Sequence, residues 1–580
     1  MLNTLKLKKI SLVKLTLLIL SLIMALFFFG CTAPATNPDG GAGVENEEIK
    51  EENNGAENGE IADEEKEEEK EEEICPEEKK AEERREREVA LQEELGEFFV
   101  PLPPLEKEEN PPVKARGIYV TGNSAGYEER FNRLLEMIET SELNTMVIDV
   151  KNDHGIITYP SEIEIAQEIQ EGQAVPVRDI GEVIDRLEKR DIYPIARIVV
   201  FRDPLLSRHY PEWFLQRKEG GVWEDGKGFK WSSPYMKEVW DYNIAIAKEA
   251  ALMGFREIQF DYVRFPENAE RVDREANFPG QDDRSKEEII RDFLIYAGEE
   301  LEEYNVYLSA DVFGVISTSW GDSDEIGQNW EKLTPYVDYI CPMVYPSHYG
   351  PGYFGYSVPD AEPAGTVRHG LKDAVKRNAP VEDPAIIRPY LQGFTASWVR
   401  GNISYGPQEV RAQINAALEL GIDEYLIWNA RNRYNPDFFL TEEAARQERE
   451  RILKEREEEG RCTLNKTARE ALVDYLEGVK EKDWRKTYLL HSTDFSIDYR
   501  EYRDWVEEWV SGPYSYEITD SREEREGKSY ELDLVIRAGE EELKLEGQTF
   551  KVYKENKIWR VSPPSLFTDL LTRAPRPRDQ

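Results

Sequence analysis

The sequence predicts an α/β protein: a (β/α)8 TIM barrel with a small C-terminal α+β domain and a disordered acidic N-terminal tether. Three observations point there. Eight short apolar runs of β type follow one another between residues 113 and 440, and stretches of helical periodicity separate them. No G-x-G-x-x-G follows the first run, where "TGNSAG" is only a loop, so a doubly wound open sheet is the second choice. Strands that alternate with helices form a parallel sheet, and eight such units suit a closed barrel.

The runs, in order, are "ARGIYVTG" (115–122), "NTMVIDVKND" (144–153), "IYPIARIVVF" (192–201), "EIQFDYVRFP" (257–266), "VYLSADVFG" (306–314), "VDYICPMVYP" (337–346), "AIIRPYLQGF" (385–394) and "DEYLIWNA" (423–430). Between them lie amphipathic segments such as "EERFNRLLEMIETSEL", "GEVIDRLEKRD" and "PQEVRAQINAALELG", several of which stop at or near a glycine, as helix C-termini often do. After the barrel, 441–465 reads as a charged helical linker. Residues 466–565 read as a helix followed by two or three strands ("YELDLVIRAG", "EELKLEGQTFKVYKE", "KIWRVS"), an accessory domain with no catalytic cluster.

The chain begins with Lys6, Lys8, Lys9 and Lys14, then an apolar run from Leu15 to Gly30 that is short for a bilayer span, and so reads as an export signal over 1–31. Gly30-Cys31 resembles the bacterial lipoprotein signal, in which the cysteine thiol is diacylated; an uncleaved anchor is the alternative. The expected location is therefore extracytoplasmic, with a membrane anchor on Cys31. Residues 32–112 are low in apolar content and rich in charge, which cannot repay the entropy of ordering, so a solvated tether is expected there.

Composition removes several function classes. A net charge of −43 argues against nucleic-acid partners, whose phosphates need concentrated Lys and Arg. Four cysteines in scattered contexts make no disulfide framework, and five histidines without H-x-x-x-H pairing make a histidine metal site a poor expectation; no cofactor is implied.

In a barrel of this kind active sites gather at the C-terminal strand ends. Those ends carry Asp149, Lys151 and Asp153 (run two), Arg197 and Arg202 (run three), Asp261 and Arg264 (run four), Asp311 (run five), Tyr345 and His348 (run six), Gln392 (run seven), and Trp428 and Asn429 (run eight). Asp261 and Asp311 end neighbouring strands, and paired carboxylates are what glycoside hydrolysis needs: one for the oxocarbenium-like centre, one to protonate the leaving oxygen. They are the catalytic candidates. The other strand-end residues, apart from Arg202, are candidates for substrate binding, with Arg197 and Arg264 placed to hold one carboxylate ionised while burial near Phe313 raises the other. Of Trp223, Trp231, Trp320, Trp398 and Trp428 near the mouth, Trp428 and then Trp231 are the expected sugar platforms.

Taken together, "RGIYVTG", "VIDVKNDHG", "ARIVVFRDP", "FDYVRFP", "SADVFG", "CPMVYPSHY" and "LIWNA" resemble the "putative glycosyl hydrolase domain" family of bacterial exported proteins, which is grouped with α-amylase-like and related retaining barrels. The resemblance spans about 114–440 and implies a glycosidase-like barrel with Asp261 at the nucleophile position. Gln259 stands where the α-amylase-like pattern has an arginine, two residues before the nucleophile. More weakly, the C-terminus resembles the nuclear-transport-factor-two-like class. The expected activity is hydrolysis of a polysaccharide by an envelope-anchored enzyme. A non-catalytic glycan-binding or scaffolding lipoprotein is the alternative, and a metal-dependent deacetylase using Asp153 and His154 a distant third.

Overall fold

The computed structural model describes residues 76–105, 109–319, 321–322, 325–462, 466–484, 487, 490–491, 514–524, 527–538, 541–555 and 558–564. The leader, Cys31, Trp320 and most of the expected tether lie outside them. Eight parallel strands close a barrel: β1 Arg116–Val120, β2 Thr145–Lys151, β3 Tyr193–Val199, β4 Glu257–Asp261, β5 Tyr307–Phe313, β6 Tyr339–Met343, β7 Tyr390–Gln392 and β8 Tyr425–Trp428. Each pairs with the next, β8 pairs with β1, and Tyr390 opposite Met343 joins β7 to β6.

Helices cover the barrel because each run between strands has one apolar face. In α2 (Glu128–Glu139) that face is Phe131, Leu134, Leu135, Met137 and Ile138. The others are α3 (Ile180–Glu188), α4 (Lys237–Leu252), α5 (Lys286–Leu301), α6 (Pro363–Asn378), α7 (Pro407–Leu418) and α8 (Glu442–Glu458); between β5 and β6 the helix shrinks to Trp330–Leu333. Local signals set the starts: Ser285 and Glu288 form a capping box on α5, and α6 and α7 begin with proline.

Strand alternation sorts the barrel's two faces. Ile118, Ile148, Ile198, Phe260, Ala310 and Ile427 pack outward against the helices, while Tyr119, Val147, Ile195, Tyr339, Cys341, Tyr390 and Leu426 form a separate cluster inside. The interior is unusually polar. At its floor Arg388 bonds both Glu257 oxygens (2.8 Å each) and Glu424 (2.9 Å), with all three side chains buried. Above this, the Tyr390 hydroxyl donates to Gln259 Oε1 (2.7 Å).

Two stretches depart from the expected domain plan. Part of the region expected to be a solvated tether is ordered: α1 (Pro76–Leu95) and the extended chain after it lie on the barrel. Val100 is buried, Arg84 reaches the Leu102 and Pro103 carbonyls, Arg87 pairs with Glu303 (2.7 Å), and Asn110 bonds the Arg256 and Asn305 carbonyls. Point contacts do here what a continuous apolar face would otherwise do. Likewise α8 is the barrel's last helix rather than a free linker: Ala445 and Ile452 are buried, Asn415 bonds Glu448, and Arg449 and Arg411 both converge on Glu142.

Beyond it, α9 (Ala468–Glu481) packs Leu472, Tyr475, Leu476 and Val479 on a four-stranded antiparallel sheet, β9 Tyr514–Glu524, β10 Gly527–Ala538, β11 Glu541–Glu555 and β12 Ile558–Ser562. This α+β unit has one strand more than expected, because "YSYEITDSREE" is too charged to read as a strand by itself.

Candidate active site

Strand four ends abruptly, which answers why "FDYVRFP" turns polar. Tyr262 adopts φ +51°, a left-handed conformation that costs a non-glycine residue about 1 kcal/mol or more and that concentrates at functional sites. The turn aims its amide at Asp261 Oδ1 (2.6 Å) and swings Tyr262, Arg264 and Phe265 away from the strand line. Asp261 faces into the mouth with 5% exposure, at the wall of a cleft of about 1100 Å3 at the C-terminal end of the barrel.

Arg197 from β3 organises this floor. Its Nε (3.0 Å) and Nη2 (2.5 Å) reach Asp261 Oδ2, Nη1 reaches Asp149 Oδ1 (2.6 Å), and Nη2 also reaches Asp153 Oδ1 (3.1 Å). The guanidinium is 1% exposed and lies 5.2 Å from the Trp428 ring and 5.3 Å from the Tyr119 ring, which stack on each other at 3.9 Å. The arginine missing at Gln259 is thus supplied by the neighbouring strand, while Gln259 itself fills the barrel against Tyr390. Burial pushes Asp149 up to about 6, against the pull of Arg197 and the Tyr119 hydroxyl (2.6 Å). Burial also acts upward on Asp153, but Arg197 and Arg202 outweigh it and hold this carboxyl below its ordinary range.

Asp311 has the opposite surroundings. The β4–β5 register places Phe260 opposite Ala310, so Asp261 at the end of β4 and Asp311, two residues before the end of β5, stand side by side. Asp311 is 1% exposed, and neither of its oxygens has a hydrogen-bond partner among the described residues. Burial first, then the nearby Asp261 charge, raises it well above the usual carboxylate range despite Arg197. The Tyr345 hydroxyl on the cleft wall is buried and likewise unpartnered among the described residues.

Of the expected binding residues, the structure brings Asp153, Arg197, Arg264, Tyr345, His348 and Trp428 to the cleft with Asp261. Arg264 bonds Glu267 (3.2 Å) and the Phe265 carbonyl and lies 4.2 Å from the Phe313 ring; the bonded cation of Asp261 is Arg197. Four residues are placed otherwise. Lys151 is fully buried beside α4, bonded to Asp203 and Asn243 (2.8 Å each), because a bulge between Asp149 and Lys151 pairs Lys151 with Ile198 on the helix-facing side. Asp149 lies beneath the cleft as a support for Arg197. Gln392 is buried and ties two loops together through Ser347, Asp360 and Phe394. Asn429 braces its own turn through Gly393 and Arg433. Trp231 is also no open platform: it is 3% exposed, against Arg264 and Tyr262.

Sequence reasoning missed Tyr119, Tyr262 and the Glu267–Asp273 rim. The signal for Tyr119 was its place at the end of the first run; for Tyr262 it was the "DY" step itself. Gly314, at the cleft, is needed for close approach, since a Cβ there would stand 2.5 Å from the Met343 carbonyl oxygen and 2.6 Å from the Tyr349 hydroxyl.

A parallel eight-stranded barrel with a clamped carboxylate on the wall of its mouth and a second, buried carboxyl beside it on the next strand is an architecture that suits a glycosidase-type enzyme. The chain belongs to the family described as "Putative glycosyl hydrolase domain", whose model matches residues 117–434, more than half of its length. It is a glycoside hydrolase by class. Among solved structures it is similar to a hypothetical protein from Ruminiclostridium thermocellum ATCC 27405 (38% identity, 34% of this chain and 97% of that one, TM-score 0.31). It is also similar to the PgaB (BpsB) glycoside hydrolase domain from Bordetella bronchiseptica (14% identity, 59% and 98%, TM-score 0.39). A third likeness is to TtGalA, an alpha-galactosidase from Thermus thermophilus (12% identity, 62% and 64%, TM-score 0.36). No curated protein matches the chain.

Proposed function

We propose that the protein is an envelope-anchored glycosidase that cleaves a polysaccharide by a two-carboxylate, retaining mechanism. The observation that carries this reading is the contrast between Asp261 and Asp311: neighbours on adjacent strands, one clamped by a guanidinium and an amide, the other buried and without a partner among the described residues. Asp261 attacks the anomeric carbon as the glycosidic C–O bond breaks, and Asp311 passes its proton to the leaving oxygen. Water then attacks the glycosyl ester, its proton returns to Asp311, and Asp261 is released. Adjacent strands stand about 4.7–4.9 Å apart, which suits the short carboxyl separation of retaining enzymes rather than the wider gap that admits a water.

The test is chemical rescue. Asp261→Ala should lose turnover of an arylglycoside by about 10^4-fold or more and recover part of it with azide, giving a glycosyl azide of inverted configuration. Turnover surviving in Asp261→Ala without azide would defeat the assignment. A non-catalytic glycan binder has one observation in its favour: both Asp261 oxygens are engaged and Asp311 lies below the cleft surface. That reading requires wild-type protein to bind polysaccharide while converting no arylglycoside. Anchoring rests on the Gly30-Cys31 step; Cys31→Ala should abolish incorporation of labelled palmitate, and equal labelling of the variant would refute it.

A further inference from the structure

The segment after β7 carries a tryptophan that packing does not explain. Trp398 is 68% exposed and stacks on Phe394 at 5.9 Å and 21°. Phe394 meets Tyr345 edge-on at 6.1 Å, and Tyr345 is part of the cleft wall. Three rings thus touch in succession from the cleft wall, and the last of them is open to solvent. Their support is firm: Gln392 Nε2 donates to the Phe394 carbonyl (3.0 Å) and to Asp360 Oδ1 (3.0 Å), while its Oε1 accepts from the Ser347 amide (3.1 Å). The Tyr405 amide donates to Thr395 Oγ1 (3.0 Å) and its hydroxyl to the Asp360 carbonyl (3.0 Å). An indole held in the open by a braced loop, and joined through Phe394 to a residue of the cleft wall, is a preorganised apolar surface rather than a stray side chain.

We propose that Trp398 and Phe394 form a distal sugar-binding platform, which stacks a pyranose unit of an uncharged polysaccharide whose cleaved bond lies over Asp261. The proposal rests on the glycosidase reading and deepens it: the substrate is a chain long enough to span from Asp261 past Tyr345 to Trp398. Axial C–H faces of a sugar match an aromatic face, and the exposed indole, backed by the Phe394 ring stacked on it, leaves the substrate's hydroxyls in water. The choice of an uncharged chain follows from the net charge of −43, which repels polyanions.

The experiment is affinity electrophoresis of the full chain carrying Asp261→Asn, with and without Trp398→Ala or Trp398→Tyr, in gels containing hydroxyethylcellulose, glycol chitin or soluble starch. The parent should be retarded by at least one of the three. Trp398→Ala should weaken that binding about tenfold, the effect of truncating an interfacial aromatic anchor, and Trp398→Tyr should restore most of it. Equal retardation of Trp398→Ala and its parent overturns the platform and leaves the glycosidase reading standing, because that reading is decided separately by Asp261→Ala and azide. No retardation of the parent by any of the three polymers also overturns it. Loss of flotation on phosphatidylglycerol vesicles in Trp398→Ala, with polymer binding unchanged, assigns the tryptophan to lipid and overturns it as well.

Discussion

Replacing Asp149 with Asn isolates the electrostatic cost of the cleft floor. Asp149 is 3% exposed and its carboxyl titrates at about 6 in the fold, against roughly 3.9 for an unfolded aspartate. A folded pKa above the unfolded one means that the group's stability contribution is fully present below about pH 4 and is lost as pH rises through 6. Two units at about 1.4 kcal/mol each give roughly 3 kcal/mol lost by pH 7. Asn does not titrate, and its amide can still meet Arg197 through Oδ1 and Tyr119 through Nδ2. The stability of Asp149→Asn minus that of the wild type should therefore rise by about 3 kcal/mol between pH 4 and 7 and stay flat above, whatever constant offset the altered hydrogen bonds add. Asp153, held low by its arginines, loses its contribution as pH falls, but it is present in both proteins and largely cancels in the difference. The assay is urea unfolding of the barrel followed by tryptophan fluorescence at half-unit pH steps. A difference that is flat across pH 4–7, or that falls, would refute this account of Asp149.

Lys151→Met should lower barrel stability by about 3–5 kcal/mol at neutral pH, because it strands buried Asp203 without its cation; adding Asp203→Asn should recover part of the loss, and a change under 1 kcal/mol in the urea transition would contradict the pairing. For turnover, the alkaline limb of kcat/KM should lie well above the titration of an ordinary carboxylic acid, since burial and then Asp261 keep the proton on Asp311; a limb near pH 5 would exclude Asp311 as the acid. Asp311→Asn should remove most turnover while leaving the fold at least as stable at pH 9, because it deletes a carboxyl whose ionised form burial disfavours; marked destabilisation there would contradict this.

The barrel could be read from periodicity because eight repeats of one unit reinforce one another, and the fold then pointed to the strand ends where the cleft opens. Asp261, Arg197, Asp153 and Trp428 followed from that placement alone. The failures have separate causes: for Lys151, one residue of slip reverses a strand's faces, and no local signal in "VIDVKND" announces the bulge that turns it toward α4. Gln392 and Asn429 sit at strand ends but turn back to carbonyls of their own loops, a choice set by tertiary contacts. The segment at 76–105 has the composition of a solvated spacer, and it is held by a few residues (Arg84, Arg87, Val100) that composition averages away. In "GGVWEDGKGFKWSSP" a tryptophan between glycines and charges gave no sign that Trp231 would be covered.

The barrel interior holds charge at two levels, and comparing them supports the proposed roles of Asp261 and Asp311 without appeal to any motif. At the floor, one arginine faces two glutamates, and three hydrogen bonds join them; both carboxylates are buried and paired, while Arg388 Nη2 is left without a partner among the described residues. At the mouth, one arginine faces three carboxylates, with Arg202 shared by Asp153 alone, and directly beside them stands Asp311 with both oxygens unpartnered among the described residues. Leaving a buried carboxyl without a hydrogen bond costs on the order of 1–3 kcal/mol, which an Asn or Ser with a local partner would avoid. Both glutamates of the floor meet a guanidinium, so the fold shows no general inability to pair buried carboxylates. Among the described residues Asp311 is the buried carboxyl with both oxygens unpartnered, and it stands where the neighbouring strand presents a second, clamped carboxylate beneath an open cleft. An acid that keeps its proton beside a carboxylate that is held in place is the division of labour that the proposed cleavage requires, and burial and one shared guanidinium would supply it here.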